Sequence, residues 1–346
     1  MMFCIDIAPH TLHFKQPAGT SRGVYLTRKT WFIRLSSPEK PGVKGVGECA
    51  PLPNLSCDDL PNYEDCLRHA CQRLCETGEI QHEELLPSPS IRFGLECALW
   101  QWQRNGDMAL SQTPFGRGEM GIPINGLVWM GTFEEMAARI EEKLKQGFRC
   151  VKLKIGAIDF ERELQLLGLI RNTFSRQEVE LRVDANGAFA PNEALAKLDK
   201  LATLDIHSIE QPIAKGQWHE MAKLCKHSPL PIALDEELIG ANSLSMKETL
   251  LDTISPQYLV LKPSLHGGIA GTKEWIELAQ KRNIDSWITS ALESNVGLNA
   301  IAHLTSEVYG PQINIPQGLG TGQLFTDNIA MPLQIKGDNL WFLPNF

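Results

Sequence analysis

From Gly121 almost to the end of the chain, short apolar runs alternate with helical stretches, and few folds accept that alternation so many times. Strand-like runs fall at residues 122–128, 150–154, 181–184, 208–210, 232–234, 258–262 and 285–289, with a short eighth expected at 313–315. Helical stretches such as 160–173 and 192–204 separate them. The helix after the first run opens with a capping box, Thr132-Phe-Glu-Glu135, and closes at Gly147. Seven or eight such units in series favour a parallel (β/α)8-type barrel, of the modified TIM kind, over an open doubly wound sheet.

Upstream the pattern differs. Residues 24–35 and 45–50 read as strands, and helical patterns follow at 63–74 and 91–102, which together suggest an α+β unit. The expected division is a capping domain over 1–120, joined by C-terminal residues at about 325–346, and a barrel over 121–324. Residues 17–23 and 48–57, rich in glycine and proline, read as mobile loops that close over a ligand.

Within the barrel region, Cys150-Val-Lys-Leu-Lys-Ile-Gly156 places two lysines in a run that otherwise reads as a buried strand. Residues two apart on a strand share a face, so Lys152 and Lys154 project together. An edge strand with solvated lysines is the plain alternative. Downstream strand ends weigh against it. They carry Arg182 and Asp184, then Glu210, then Asp235 and Glu236, then Lys262, then Glu293, and strand ends converge in a barrel. Asp184, Glu210 and Asp235 form an oxygen-only set suited to a hard cation, Mg²⁺, with Mn²⁺ able to take its place. Each acid could instead cap a following helix, but three in register between lysines point to a site. A cation flanked by lysines suits proton abstraction next to a carboxylate, because positive charge stabilises the enediolate that forms.

Composition narrows the partners. A net charge of −8 argues against nucleic acid, and no run is long enough to span a bilayer. The nine cysteines show no metal-ligand spacing; Cys66, Cys71 and Cys75 fall among Leu67, Ala70 and Leu74 as one apolar helix stripe. An odd number of thiols without a disulfide framework, and no leader-like start, point to the cytoplasm. The expected partner is a small-molecule carboxylate.

These residues resemble the enolase superfamily, in particular its muconate-lactonizing-enzyme subgroup. The segments that carry the resemblance are Gly47-Glu-Cys-Ala-Pro-Leu52, Val151-Lys-Leu-Lys154, Arg182-Val-Asp-Ala-Asn186, Ile209-Glu-Gln-Pro212, Leu234-Asp-Glu236 and Leu261-Lys-Pro-Ser264 with Gly267-Gly268. Further segments, Ile124-Asn-Gly-Leu127, Thr289-Ser-Ala-Leu-Glu-Ser-Asn-Val-Gly297 and Gln317-Gly-Leu-Gly-Thr-Gly-Gln-Leu-Phe325, look most like the branch that dehydrates a succinyl-substituted cyclohexadiene acid on the menaquinone route. The resemblance implies that Lys154 takes the α-proton and returns it to the departing hydroxyl, while Lys262 stabilises the intermediate by charge. It also implies substrate contacts from Lys152, Arg182, Asn186, Glu293, Ser294, Gly320 and Thr321. Racemases and epimerases of acylated amino acids or dipeptides use the same lysines. The dipeptide epimerases usually carry Asp-x-Asp near the eighth strand, where this chain has Gly320-Thr-Gly322. A non-catalytic binding barrel is the remote alternative, and none of the expected charged residues is missing.

Overall fold

The computed structural model describes residues 2–20 and 23–346. The chain opens with a long antiparallel hairpin of β1 (Cys4–Thr20) and β2 (Gly23–Ser36), and β3 (Lys44–Cys49) pairs with β2. Trp31, Ile33 and Leu35, two apart on β2, share one face. They pack there against Leu67 and Leu74 of α1 (Tyr63–Thr77) and Ile91, Leu95 and Trp102 of α2 (Pro89–Gln103). Helix α2 lies hard against β3, where a Cβ at Gly47 would run into the Gly94 carbonyl. Cys71 is buried in this core, and Cys66 and Cys75 pack on its edge.

Two expectations for this region change. The segment expected as a mobile loop at 17–23 instead continues the hairpin, with Ala18 opposite Tyr25 and Thr20 opposite Gly23; Ser21 and Arg22 lie outside the described residues. Strand β1 escaped the periodicity because its register shifts between His13 and Ala18, which breaks the alternation. The segment expected as a loop at 48–57 begins inside β3 and is anchored along its length: Leu52 N–H donates to Ser56 Oγ at 2.7 Å, and Tyr25 Oη to the Pro53 carbonyl at 2.7 Å.

The barrel follows: β4 (Ile122–Pro123), β5 (Gly126–Val128), α3 (Phe133–Lys145), β6 (Cys150–Lys154), α4 (Phe160–Arg171), β7 (Glu180–Asp184), α5 (Pro191–Ala202), β8 (Ser208–Glu210), α6 (Trp218–His227), β9 (Ile232–Leu234), α7 (Leu244–Ile254), β10 (Tyr258–Leu261), α8 (Gly268–Gln280), β11 (Asp285–Ile288) and α9 (Asn295–Val308). Strands β5 to β11 form one parallel sheet of seven strands in sequence order. The eighth position is not a strand at 313–315. It is reduced to parallel bridges from Gln317 to Ile124 and from Gly318 to Thr289, which join the two edges of the sheet. Proline flanks this segment at 311 and 316, and proline donates no ladder hydrogen bond.

Alternation sorts the barrel's residues into two layers. Val151, Leu153, Leu181, Val183, Ile209, Leu259 and Leu261 belong to the large core beneath the helices, whereas Ala233, Val260 and Trp287 form a separate cluster inside the barrel. The charged residues of β6, β7 and β8 occupy the inner face.

Two buried carboxylates fasten the capping elements to the barrel. Glu48 of β3 accepts from the backbone of Ser294 and Gly297, each at 2.9 Å, at the start of α9. Glu96 of α2 accepts from Ile269 and Ala270 at the start of α8. Negative charge placed at a helix N-terminus meets unpaired N–H groups and the positive end of the dipole. The C-terminal segment divides. Residues 324–326 bond to β1 through Lys15 and His13, while β13 (Asn339–Phe342) joins β12 (Leu333–Lys336) to β4 and sends Leu340 and Phe342 into the barrel's core.

Candidate active site

The ladder register brings the charges together. Lys154 lies opposite Asp184, and Asp184 opposite Glu210, so the three sit at one height on adjacent strands. Lys152 Nζ donates to Glu210 Oε2 at 2.8 Å and lies 3.5 Å from Asp184 Oδ2. Lys154 Nζ donates to Asp184 Oδ2 at 2.9 Å and Asn186 Oδ1 at 2.8 Å, and across the barrel Lys262 Nζ donates to Asp235 Oδ2 at 2.5 Å. The pair of lysines therefore points into the barrel, Lys152 buried and Lys154 partly so, and is not displayed on an edge.

Local devices hold these positions. The turn after β6 is fixed by Glu163, whose carboxylate accepts from the backbone N–H of Gly156 at 2.6 Å and of Ala157 at 3.2 Å. Gln211 bonds the end of β8 to the end of β9: its Oε1 accepts from the backbone of Asp235 and Glu237, and its Nε2 donates to Ile213. That is a physical reason for a glutamine directly after Glu210.

The acid triad has the character of a cation site. Carboxylate oxygens of Asp184, Glu210 and Asp235 all lie within 4.8 Å of one another. Glu210 Oε1 and Asp235 Oδ1 are buried with no hydrogen-bond partner among the described residues. Burial pushes Glu210 up to about 7, only partly opposed by Lys152 and reinforced by Asp184 and Asp235. Burial acts the same way on Asp184, but Lys154 and Lys152 outweigh it and hold that carboxyl below its usual range. Orphaned buried oxygens on crowded acids fit a bound divalent cation, which would satisfy them and relieve their repulsion.

Above the charges lies a cavity of about 530 Å³. Its polar floor comprises Lys152, Lys154, Asp184, Asn186, Glu236 and Lys262, and Gly320 and Thr321 also line it. Phe14, Tyr25, Leu52 and Leu55 of the capping region face Trp129, Leu292 and Leu324 of the barrel across it. Lys154 Nζ lies 5.8 Å from the centre of the Trp129 ring, a cation–π distance.

Three residues expected to touch substrate do not line this cavity. Arg182 lies one layer deeper, over the Trp287 ring at 4.4 Å and paired with Glu180 at 2.7 Å, so its charge is already answered. Glu293 turns away to Ser264 and to the Ala291 N–H, and Ser294 turns to Glu48. Conversely, Glu236 was recognised only as a charge at a strand end. It lines the cavity and accepts from Asn186 Nδ2 at 3.0 Å, and burial lifts it to about 7. Trp129, directly after β5, occupies the strand-end position that should have singled it out.

Comparison with known proteins agrees with this geometry. Residues 135–334 match the enolase C-terminal domain-like family, and residues 20–102 match the MenC N-terminal domain. The chain is 45% identical to the o-succinylbenzoate synthase of Desulfotalea psychrophila, over 94% of this chain and 95% of that one. The crystal structure of MenC from the same organism superposes with a TM-score of 0.85, covering 99% of this chain and 100% of that one. The L-Ala-D/L-Glu epimerase of Bacillus subtilis is 26% identical over 84% of this chain and 81% of its own. A substrate-liganded structure of that epimerase has a TM-score of 0.84 at 23% identity, covering 99% and 96% of the two chains, and shows likeness of fold. With the barrel and the capping region both matched, this chain belongs to the enolase superfamily.

Proposed function

We propose that this protein is an o-succinylbenzoate synthase, a lyase that removes water from 2-succinyl-6-hydroxy-2,4-cyclohexadiene-1-carboxylate to give the aromatic acid, acting in the cytoplasm on the menaquinone route. The observation that carries this is the pairing of Lys154 and Lys262 on opposite sides of the acid triad, in a chain 45% identical to an enzyme of that name. Asp184, Glu210 and Asp235 would hold one divalent cation, in our reading Mg²⁺ with Mn²⁺ as a substitute, which supplies positive charge beside the substrate carboxylate. Lys154 takes the proton from the carbon bearing the carboxylate, and the electron pair moves into an enediolate. Lys154 then gives that proton to the hydroxyl leaving on the same face, water departs, and the ring becomes aromatic. Lys262 remains protonated throughout. Burial alone would lower its proton affinity, but Asp235 and Glu236 raise it above the ordinary value. Lys152 reinforces the positive field, and Asn186 holds Lys154 in place. Gly320 and Thr321 bound the substrate where they line the cavity. The chain is read as two units meeting near residue 120.

Racemization of N-succinylamino acids is the second reading, favoured by the same opposed lysines. The two are separated by supplying the cyclohexadiene acid and, separately, an N-succinylamino acid in deuterated water. The synthase reading expects efficient aromatic product formation, whereas rapid α-deuterium incorporation with no dehydration would replace it by the racemase.

A further inference from the structure

Arg28 on β2 is 1% exposed, and its guanidinium is spent on backbone carbonyls from two different walls of the cavity. On the capping side it donates to the carbonyl of Pro51 and, at 2.6 Å, to that of Ala50, immediately before the cavity-lining Leu52. On the barrel side it donates to the Leu292 carbonyl at 3.3 Å and the Ala291 carbonyl at 3.4 Å, and both of those residues line the cavity. Leu292 sits at φ +65°, a left-handed conformation that a branched side chain adopts only when its surroundings enforce it. Its neighbours share in the enforcement: Leu292 N–H donates to Ser290 Oγ at 3.3 Å, and Ala291 N–H to Glu293 Oε2 at 2.7 Å. Leu52, Ala291 and Leu292 pack in one apolar cluster with Leu12, Leu265 and Phe325, so the two walls share a packed core behind the cavity.

We propose that Arg28 is a positioning residue for substrate choice: it ties residues 50–52 to the strained turn at 291–292 and thereby fixes the width of the cavity that a cyclic acid must fit. A planar fork of five donors can reach carbonyls on both sides at once, which a lysine ammonium cannot do in the same geometry. This rests on the synthase reading, because the width matters for a ring. No other chemistry is required of Arg28, which is buried behind the residues that line the cavity.

The test is a double-mutant cycle of Arg28→Lys and Leu292→Gly, assayed for dehydration with Mg²⁺ at a temperature where circular dichroism shows every variant folded. Arg28→Lys should raise KM about tenfold, with kcat changed less than about threefold and Mg²⁺ affinity less than about twofold. In the Leu292→Gly background the KM effect should shrink to about threefold or less, because glycine needs no enforcement to hold a left-handed turn. An unchanged KM, or the same factor in both backgrounds, would overturn the tie. Hydrogen exchange of residues 290–294 without substrate supplies a readout independent of activity: faster exchange in Arg28→Lys is expected, and unchanged exchange counts against the proposal. A natural chain that fails to dehydrate removes the proposed function, and the exchange result still decides the tie.

Discussion

At the level of single residues, the two lysines differ in their surroundings. Lys154 contacts Asp184, Asn186 and the Trp129 face, while Lys262 donates to Asp235 at 2.5 Å and feels the charge of Glu236. Arginine keeps the charge but does not give up its proton, so Lys262→Arg should retain measurable dehydration while abolishing any racemization, and Lys154→Arg should abolish both. Product absorbance and α-deuterium incorporation check this; dehydration at the parent rate in Lys154→Arg would reverse the assignment. The face of each charge was legible in the sequence because strand side chains alternate, and Asp184, Glu210 and Asp235 meet as that alternation requires. Depth was not legible. Arg182 shares its face with Asp184 yet lies a layer lower, against Trp287, and nothing in a period of two distinguishes height in a barrel. Glu293 was misplaced for a different reason: the left-handed turn at Leu292 redirects the chain just before it.

Among the elements, the seven parallel strands of the barrel and its helices were readable, since their periodicity switches cleanly and capping signals mark the joints, whereas the eighth position was not. The box at Thr132 forms as expected, with Glu135 N–H donating to Thr132 Oγ1 at 3.3 Å and Thr132 N–H to Glu135 at 2.9 Å. The joints between capping region and barrel were not readable, because they depend on contacts across 173 to 249 residues of chain. Glu48 shows this most clearly: expected at the start of a mobile loop, it is fully buried and accepts from Thr30 and Ser294 hydroxyls as well as the start of α9. Glu48→Gln removes the charge and turns an N–H group toward donors, so unfolding free energy should fall by about 2–3 kcal/mol. Denaturant titration measures it, and an unshifted midpoint would show that the contact contributes little.

Over the whole molecule, the cavity exists because an apolar capping wall closes over a barrel mouth whose floor carries alternating lysines and acids. Each component is unfavourable by itself: lysines without the acids would be buried unpaired, and three buried acids repel one another. Lysines answer part of the negative charge, and the orphaned oxygens of Glu210 and Asp235 mark where a further cation belongs. The most direct test is to strip the protein with a chelator, titrate Mg²⁺ calorimetrically, and follow dehydration of the cyclohexadiene acid at each addition. One cation per chain should bind, activity should rise in proportion to occupancy, and Glu210→Gln should weaken both together. Full turnover in excess chelator, or binding that survives loss of Glu210 unchanged, would contradict the assignment of this site.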